Sequence, residues 1–366
     1  MKNKLKTLIT IVLILSLAIP FSAVAAEEEE KVYTLEEVIE RGLDRSLRIK
    51  STEYDLDSVE IVRDKANINL TFIPTEQFFT TPGPMIAYRQ KRALDRAYES
   101  TRDTLEMEID SVRFDLIKKY QALLEAIQDV QQAEKERHIQ DVLYNISTMR
   151  SRLGLISDIE ATSSSQLFEM ARSNLRAKQN ELDKAYQNLN ALIGFEPEER
   201  YQIEESTFAD ISQELTDSDL IRLKSLGREG LLIRILDRGL EQTEFEYNFY
   251  VFNDPSSKPL EAIEKDIKSE EANIESTKRS LEEATRNLFF NAQQIQKNYN
   301  DLQMKHSTDQ LLHRIKQIQL DLGMITKTEL MQSEKTLLEN EANFVSLRNA
   351  FNEIMFMLHY PHVTSR

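Results

Sequence analysis

The placement of helix breakers constrains this chain of 366 residues more than any other feature. Between Pro84 and Pro197 lie 112 residues without proline, interrupted by glycine only at Gly154 and Gly194. Between Pro259 and Pro361 lie another 101, interrupted only by Gly323. Proline lacks the amide hydrogen a helix needs and glycine loosens the backbone, so spans spared both are free to be helical. Their apolar residues have the matching period. Leu105, Ile109, Val112 and Leu116 step by four, three and four, and Tyr120, Leu123, Ile127 and Val130 continue at three, four and three after one further step of four. Leu288, Ala292, Ile295, Tyr299 and Leu302 alternate four and three. That alternation is the buried seam of a coiled coil. Each span therefore predicts two long antiparallel helices meeting at one glycine turn. A helix over residues 85–152 would be about 100 Å long at 1.5 Å per residue, a length that suits bridging a distance rather than filling a globule.

Composition agrees with thin helix-on-helix packing. The chain is 30% charged and 40% hydrophobic with no Trp, too little apolar material for a thick core. A formal net charge of −16 argues against a nucleic-acid or anionic-lipid surface. The absence of cysteine excludes disulfides, thiolate chemistry and a cysteine-linked lipid. At the start, Lys2, Lys4 and Lys6 precede an apolar run of 12 residues from Leu8 to Ile19, and Ala23-Val24-Ala25 forms a small-x-small site. This reads as a signal peptide over residues 1–26, because a membrane span needs about 20 apolar residues. Its removal takes three lysines, moving the net charge from −16 to −19.

The two halves repeat. An offset of 169 pairs Tyr120 with Phe289, Leu143 with Leu312, Gly154 with Gly323, Ile156 with Ile325 and Glu160 with Glu329. A second offset, 184, pairs Leu47 with Leu231, Ile49 with Ile233 and Leu56 with Leu240. Each copy thus reads as a shorter helix, a connection, a long helix, a glycine tip and a returning helix. Thr34 and Glu37 form a capping-box pattern, and Ser157 and Thr326 stand as N-caps after the tips. The fold class is all-α: two tandem copies of a long antiparallel coiled-coil hairpin, with little or no β-barrel. The copies occupy residues 27–193 and 217–366, joined by a linker over 194–216 in which Tyr201-Gln202-Ile203 predicts a short strand.

A duplicated helix–connection–helix–tip–helix unit behind a signal peptide resembles the TolC-like outer-membrane efflux family. The opening Thr34-Leu-Glu-Glu-Val-Ile-Glu-Arg-Gly-Leu43 is similar to that family's start, and the likeness runs over roughly 34–360. It implies a homotrimer forming a hollow helical conduit, engaged at its tips by a periplasmic adaptor protein and an inner-membrane pump, in the cell envelope. It implies no enzyme activity and no cofactor. One departure is large. Family members insert two β-strands in each connection to build a twelve-stranded membrane barrel. Here the connections are Phe72–Tyr88, broken by three prolines, and Phe245–Pro259, with one plausible strand over Phe245–Phe252. Membrane insertion is therefore left open, and a non-pore scaffold or spacer of the envelope is the competing reading.

By the resemblance, the adaptor-docking residues are Arg152, Leu153, Gly154, Leu155 and Ser157 at one tip and Leu322, Gly323, Met324 and Thr326 at the other. The alternative is that the glycines simply cap helices. Glu160 and Glu329 are candidates for an acidic constriction ring, against an ordinary role in the first turn of a helix. Gln332 stands where the family often has a second acid, which weakens the ring. His138, His306, His313, His359 and His362 carry no zinc-binding spacing, and Ser163-Ser164-Ser165 reads as a solvated face.

Overall fold

A computed structural model describes residues 31–69, 82–205, 209–250 and 258–365. Residues 1–26, expected to be a signal peptide, lie outside the described residues, as do the middle parts of both connections. The described chain opens with β1 (Val32–Tyr33) and continues through α1 (Leu35–Arg45), α2 (Leu47–Asn69), α3 (Pro82–Arg152) and α4 (Asp158–Ile193). After β2 (Gln202–Ile203) come α5 (Asp217–Arg228), α6 (Leu231–Asn248), α7 (Leu260–Asp321) and α8 (Lys327–His359), with a closing 3-10 turn at Pro361–Ser365. The shorter helix of each copy is split in two, at Ser46 and at Gly230, so α1–α4 of the first copy correspond to α5–α8 of the second. The long helices have 71 and 62 residues, about 105 Å and about 93 Å.

The packing repeats as the sequence does. α3 lies against α1, α2 and α4, and α7 lies against α5, α6 and α8. Each copy has its own apolar cluster. Leu116, Tyr120, Leu123, Leu189 and Ile193 anchor the first, while Leu223, Phe289, Ala292, Phe351 and Leu358 anchor the second. Tyr120 and Phe289, paired by the repeat, are 1% and 0% exposed. The copies are joined through α3, which also packs on α6 and α8. Phe356 of α8 crosses into the first cluster and stacks on Phe114 at 5.4 Å.

Polar side chains fix the register at these joints. Asn349 of α8 donates to the Gln121 carbonyl at 3.3 Å and to Glu125 at 3.1 Å. Lys335 pairs with Glu136 at 2.7 Å, and Lys135 pairs in the opposite direction with Glu334. At the blunt end the two strands that precede the copies pair in parallel, Val32 with Gln202 and Tyr33 with Ile203. The Tyr120 hydroxyl donates to the carbonyls of Tyr33, at 3.0 Å, and Glu204, at 2.5 Å, tying both strands to α3. Burial pushes that phenol far above its usual range.

Two expectations change at the connections. The strand expected over Phe245–Phe252 is not formed over its described part, 245–250: Phe245 to Asn248 end α6, where Phe245 is buried beside Phe249 with ring centroids 4.5 Å apart. Aromatic residues were misread as strand formers because a half-buried helix end uses the same side chains. Likewise Pro82 to Tyr88 open α3, proline being well suited to a helix's first turn. The short strand expected at 201–203 is β2. No described helix is long and apolar enough to cross a membrane.

Candidate functional site

The two tips are built from the same local interactions. α3 ends with Leu155 N–H donating to the Arg150 carbonyl at 2.9 Å and Gly154 N–H to the Ser151 carbonyl at 2.9 Å. α7 ends with Met324 N–H on Gln319 at 2.8 Å and Gly323 N–H on Leu320 at 2.9 Å. This paired pattern is the Schellman closure, which requires a left-handed residue at the crossing point. Gly154 has φ +67° and Gly323 φ +70°. A Cβ on either would meet no atom within 4 Å, so backbone conformation alone selects glycine.

The returning helices start on capping boxes. Glu160 N–H donates to Ser157 Oγ at 3.2 Å, and Ser157 N–H donates to Glu160 Oε2 at 2.9 Å. Glu329 and Thr326 exchange the same bonds at 3.3 and 2.7 Å. The hydroxyls of Ser157 and Thr326 add bonds of 3.1 and 2.9 Å to the same carboxylate oxygens. The backbone amide and then the hydroxyl hold both glutamates below the usual carboxylate range. Each is thus engaged in closing its own tip, the ordinary helix role weighed against the acidic ring.

A depressed folded pKa means the carboxylate form stabilises the cap. That stabilisation is present above the unfolded Glu value, about 4.3, and is lost as pH falls through the lower folded value. The protection factors of the Ser157 and Thr326 amides, which donate to these carboxylates, should therefore fall on acidification in that range, ahead of that of Tyr120. An equal fall at all three would contradict a local cap effect.

What the tips expose is apolar. Leu153 and Leu155 are 72% and 68% exposed, and Leu322 and Met324 are both 69% exposed. The apolar surface continues away from the second tip in a way the sequence reading missed. Beyond Leu302 the face of α7 toward α8 turns polar. Asp309 accepts from Asn340 at 2.8 Å, and His313 Nδ1 bonds Ser333 Oγ at 2.7 Å. The apolar residues shift to Met304, Leu311, Ile315, Ile318 and Leu322, all exposed. Their spacing of 7, 4, 3 and 4 is again a coiled-coil seam. At about 100° per residue, Met304 is about 200° around α7 from Leu302. α7 therefore carries two seams on opposite sides, one against α8 and one uncovered. The signal was present as a change of heptad phase near residue 303.

A scan against protein-family models gives no match, and no curated protein matches either. Solved structures do. The outer-membrane channel CmeC of Campylobacter jejuni aligns with a TM-score of 0.66 at 10% identity, covering 90% of this chain and 85% of that one. The outer-membrane channel OprN gives 0.64 at 14% identity, covering 90% of each. The outer-membrane channel MtrE of Neisseria gonorrhoeae, in its open state, gives 0.62 at 13%, covering 90% and 88%. The chain has the TolC-like fold of outer-membrane channels. These neighbours are channel proteins rather than enzymes.

Proposed function

We propose that this chain is an outer-membrane-efflux-type export component: a homotrimer whose helices wall a passive conduit, docked at its tips by a periplasmic adaptor that recruits an inner-membrane pump. The observation that carries the reading is the second seam of α7. A helix packed on one side and apolar on the opposite side is half of a wall, and an uncovered seam of this length calls for a partner helix. Further copies of this chain, closing a ring, supply it. The copies are residues 27–193 and 217–366 with 194–216 as linker, and residues 1–26 direct export to the envelope. No cofactor and no nucleic acid enter the mechanism.

Arg152, Leu153, Gly154, Leu155 and Ser157, with Leu322, Gly323, Met324 and Thr326, form the adaptor-docking surface. The left-handed glycines keep the turn narrow, and the exposed leucines and methionine supply apolar contact. Glu160 and Glu329 bring six carboxylates to the narrow end of a trimer, where they favour cations, while also serving as caps.

One observation favours the scaffold alternative. Only 12 residues separate Asn69 from Pro82, and only 11 separate Asn248 from Leu260. Two membrane strands of about 9–11 residues each do not fit in either gap.

Light scattering after size exclusion, with negative-stain images of the peak, decides between them. A trimer with a central hole is expected. A monomer or dimer without a lumen, even with the adaptor present, would replace the conduit with the scaffold. Leu155→Glu combined with Met324→Glu should abolish adaptor capture without altering the trimer. These are cleaner than a substitution at Gly154, whose φ would strain any side chain.

A further inference from the structure

Separate from the tips and from the second seam, a recess of about 710 Å³ or less recurs at several helix junctions, and one of these has an unusual lining. It opens between α3, α7, α8 and the segment after β2, with a volume of about 580 Å³. Three aromatic rings stand together in its wall. Tyr299 and Phe344 meet edge to face at 5.2 Å and 67°, and His306 meets Phe344 at 5.5 Å and 79°. All three are only half-buried, with Tyr299 at the margin of the second apolar cluster. Perpendicular rings present electron-rich faces in different directions, the arrangement that surrounds a cation.

The charges of the recess agree. Its charged lining residues are Glu205, Glu341 and Arg348. Arg348 is held by Glu205, which removes the cation's competitor and one acid together. Glu341 is exposed and has no ion-pair partner among the described residues, leaving one uncompensated negative charge at the mouth. The Nδ1 atom of His306 is buried without a hydrogen-bond partner, so this ring is placed by packing against Phe344 and by its Nε2 contact to Gln310 at 2.8 Å. Structural packing of α7 on α8 accounts for Tyr299 touching Phe344. It does not account for a recess that leaves the rings accessible beside an unpaired carboxylate.

We infer that this recess is a binding site for a small alkylated ammonium cation, with the faces of Tyr299, Phe344 and His306 as its cage and Glu341 as its counter-charge. The site lies within one protomer and does not depend on trimer formation. The test is calorimetric titration of the purified chain with choline, and with its neutral carbon analogue dimethylbutanol. Choline should bind and dimethylbutanol should bind at least tenfold more weakly. Phe344→Leu should weaken choline about tenfold, as loss of a desolvated cation–π contact of about 1.4 kcal/mol would. Because that variant could disturb the helix pair, Glu341→Gln, at an exposed position, is the companion. It should weaken choline severalfold and flatten the salt dependence while circular dichroism stays unchanged. No choline binding to the unaltered chain, equal binding of dimethylbutanol, or indifference to Glu341→Gln would overturn the inference.

Discussion

Phe289→Ala destabilises the chain by about 3–5 kcal/mol, the range for truncating a fully buried aromatic in a core that cannot collapse around the void. Phe289 is 0% exposed and sits between Leu223, Ala292, Phe351 and Leu358, where α5, α7 and α8 converge. Its repeat partner Tyr120 occupies the same position in the first cluster but carries a hydroxyl bonded to the carbonyls of Tyr33 and Glu204. Tyr120→Phe therefore separates the two roles: the ring remains, and about 1–3 kcal/mol is lost, mainly at the Glu204 carbonyl, since the Tyr33 carbonyl keeps the Glu204 N–H at 3.3 Å. Urea unfolding followed by circular dichroism measures both. A loss below about 1 kcal/mol for Phe289→Ala would mean that the second copy does not rely on its own core.

The second large effect is expected at a charge. Asp103 of α3 is 1% exposed and receives Arg238 of α6, with Arg234 Nε at 3.7 Å. This cluster holds the first copy's long helix to the second copy's α6. Asp103→Ala leaves Arg238, itself largely covered, with only the more exposed Glu99, whose carboxylate lies at 3.2 Å and whose carbonyl accepts at 2.9 Å. The loss therefore falls toward the lower end of the about 3–5 kcal/mol for breaking a buried pair. Arg234 is about half exposed and regains water, with the same effect. Arg238→Ala in the Asp103→Ala background should cost little more than Asp103→Ala alone, because its buried partner is already gone and only the exposed Glu99 contact is lost. Simple additivity of the two losses would show that the pair is not coupled.

Much of the candidate site was legible before any coordinates. The tip requires a left-handed residue between two helices, and Gly154 and Gly323 are the only interior glycines that divide the two long spans. The caps are interactions between residues three apart, so Ser157 with Glu160 and Thr326 with Glu329 are visible in sequence order. The recess at Tyr299, Phe344 and His306 was not legible. Its rings come from two helices, and Tyr299 reads in sequence as one more seam residue. Nor was Asp103 distinguishable from the chain's other acids, since its burial depends on where α6 lies.

The repeat, the helical content, the two turns and their caps are all readable in residue order, because each depends on periodicity or on contacts within about one turn of helix. Which apolar stripes are covered depends instead on how the helices pack together. The seam from Leu105 to Val130 and the stripe from Met304 to Leu322 have the same spacing, yet the first is packed and the second is open. The parallel pairing of Val32–Tyr33 with Gln202–Ile203 likewise waited for the fold, since the strand signal at Tyr201-Gln202-Ile203 does not name its partner. The physical reason is the same in both cases. A heptad states that a helix needs a neighbour, but which neighbour supplies it is fixed by long-range packing and by charges such as Asp103 that lock one helix against another.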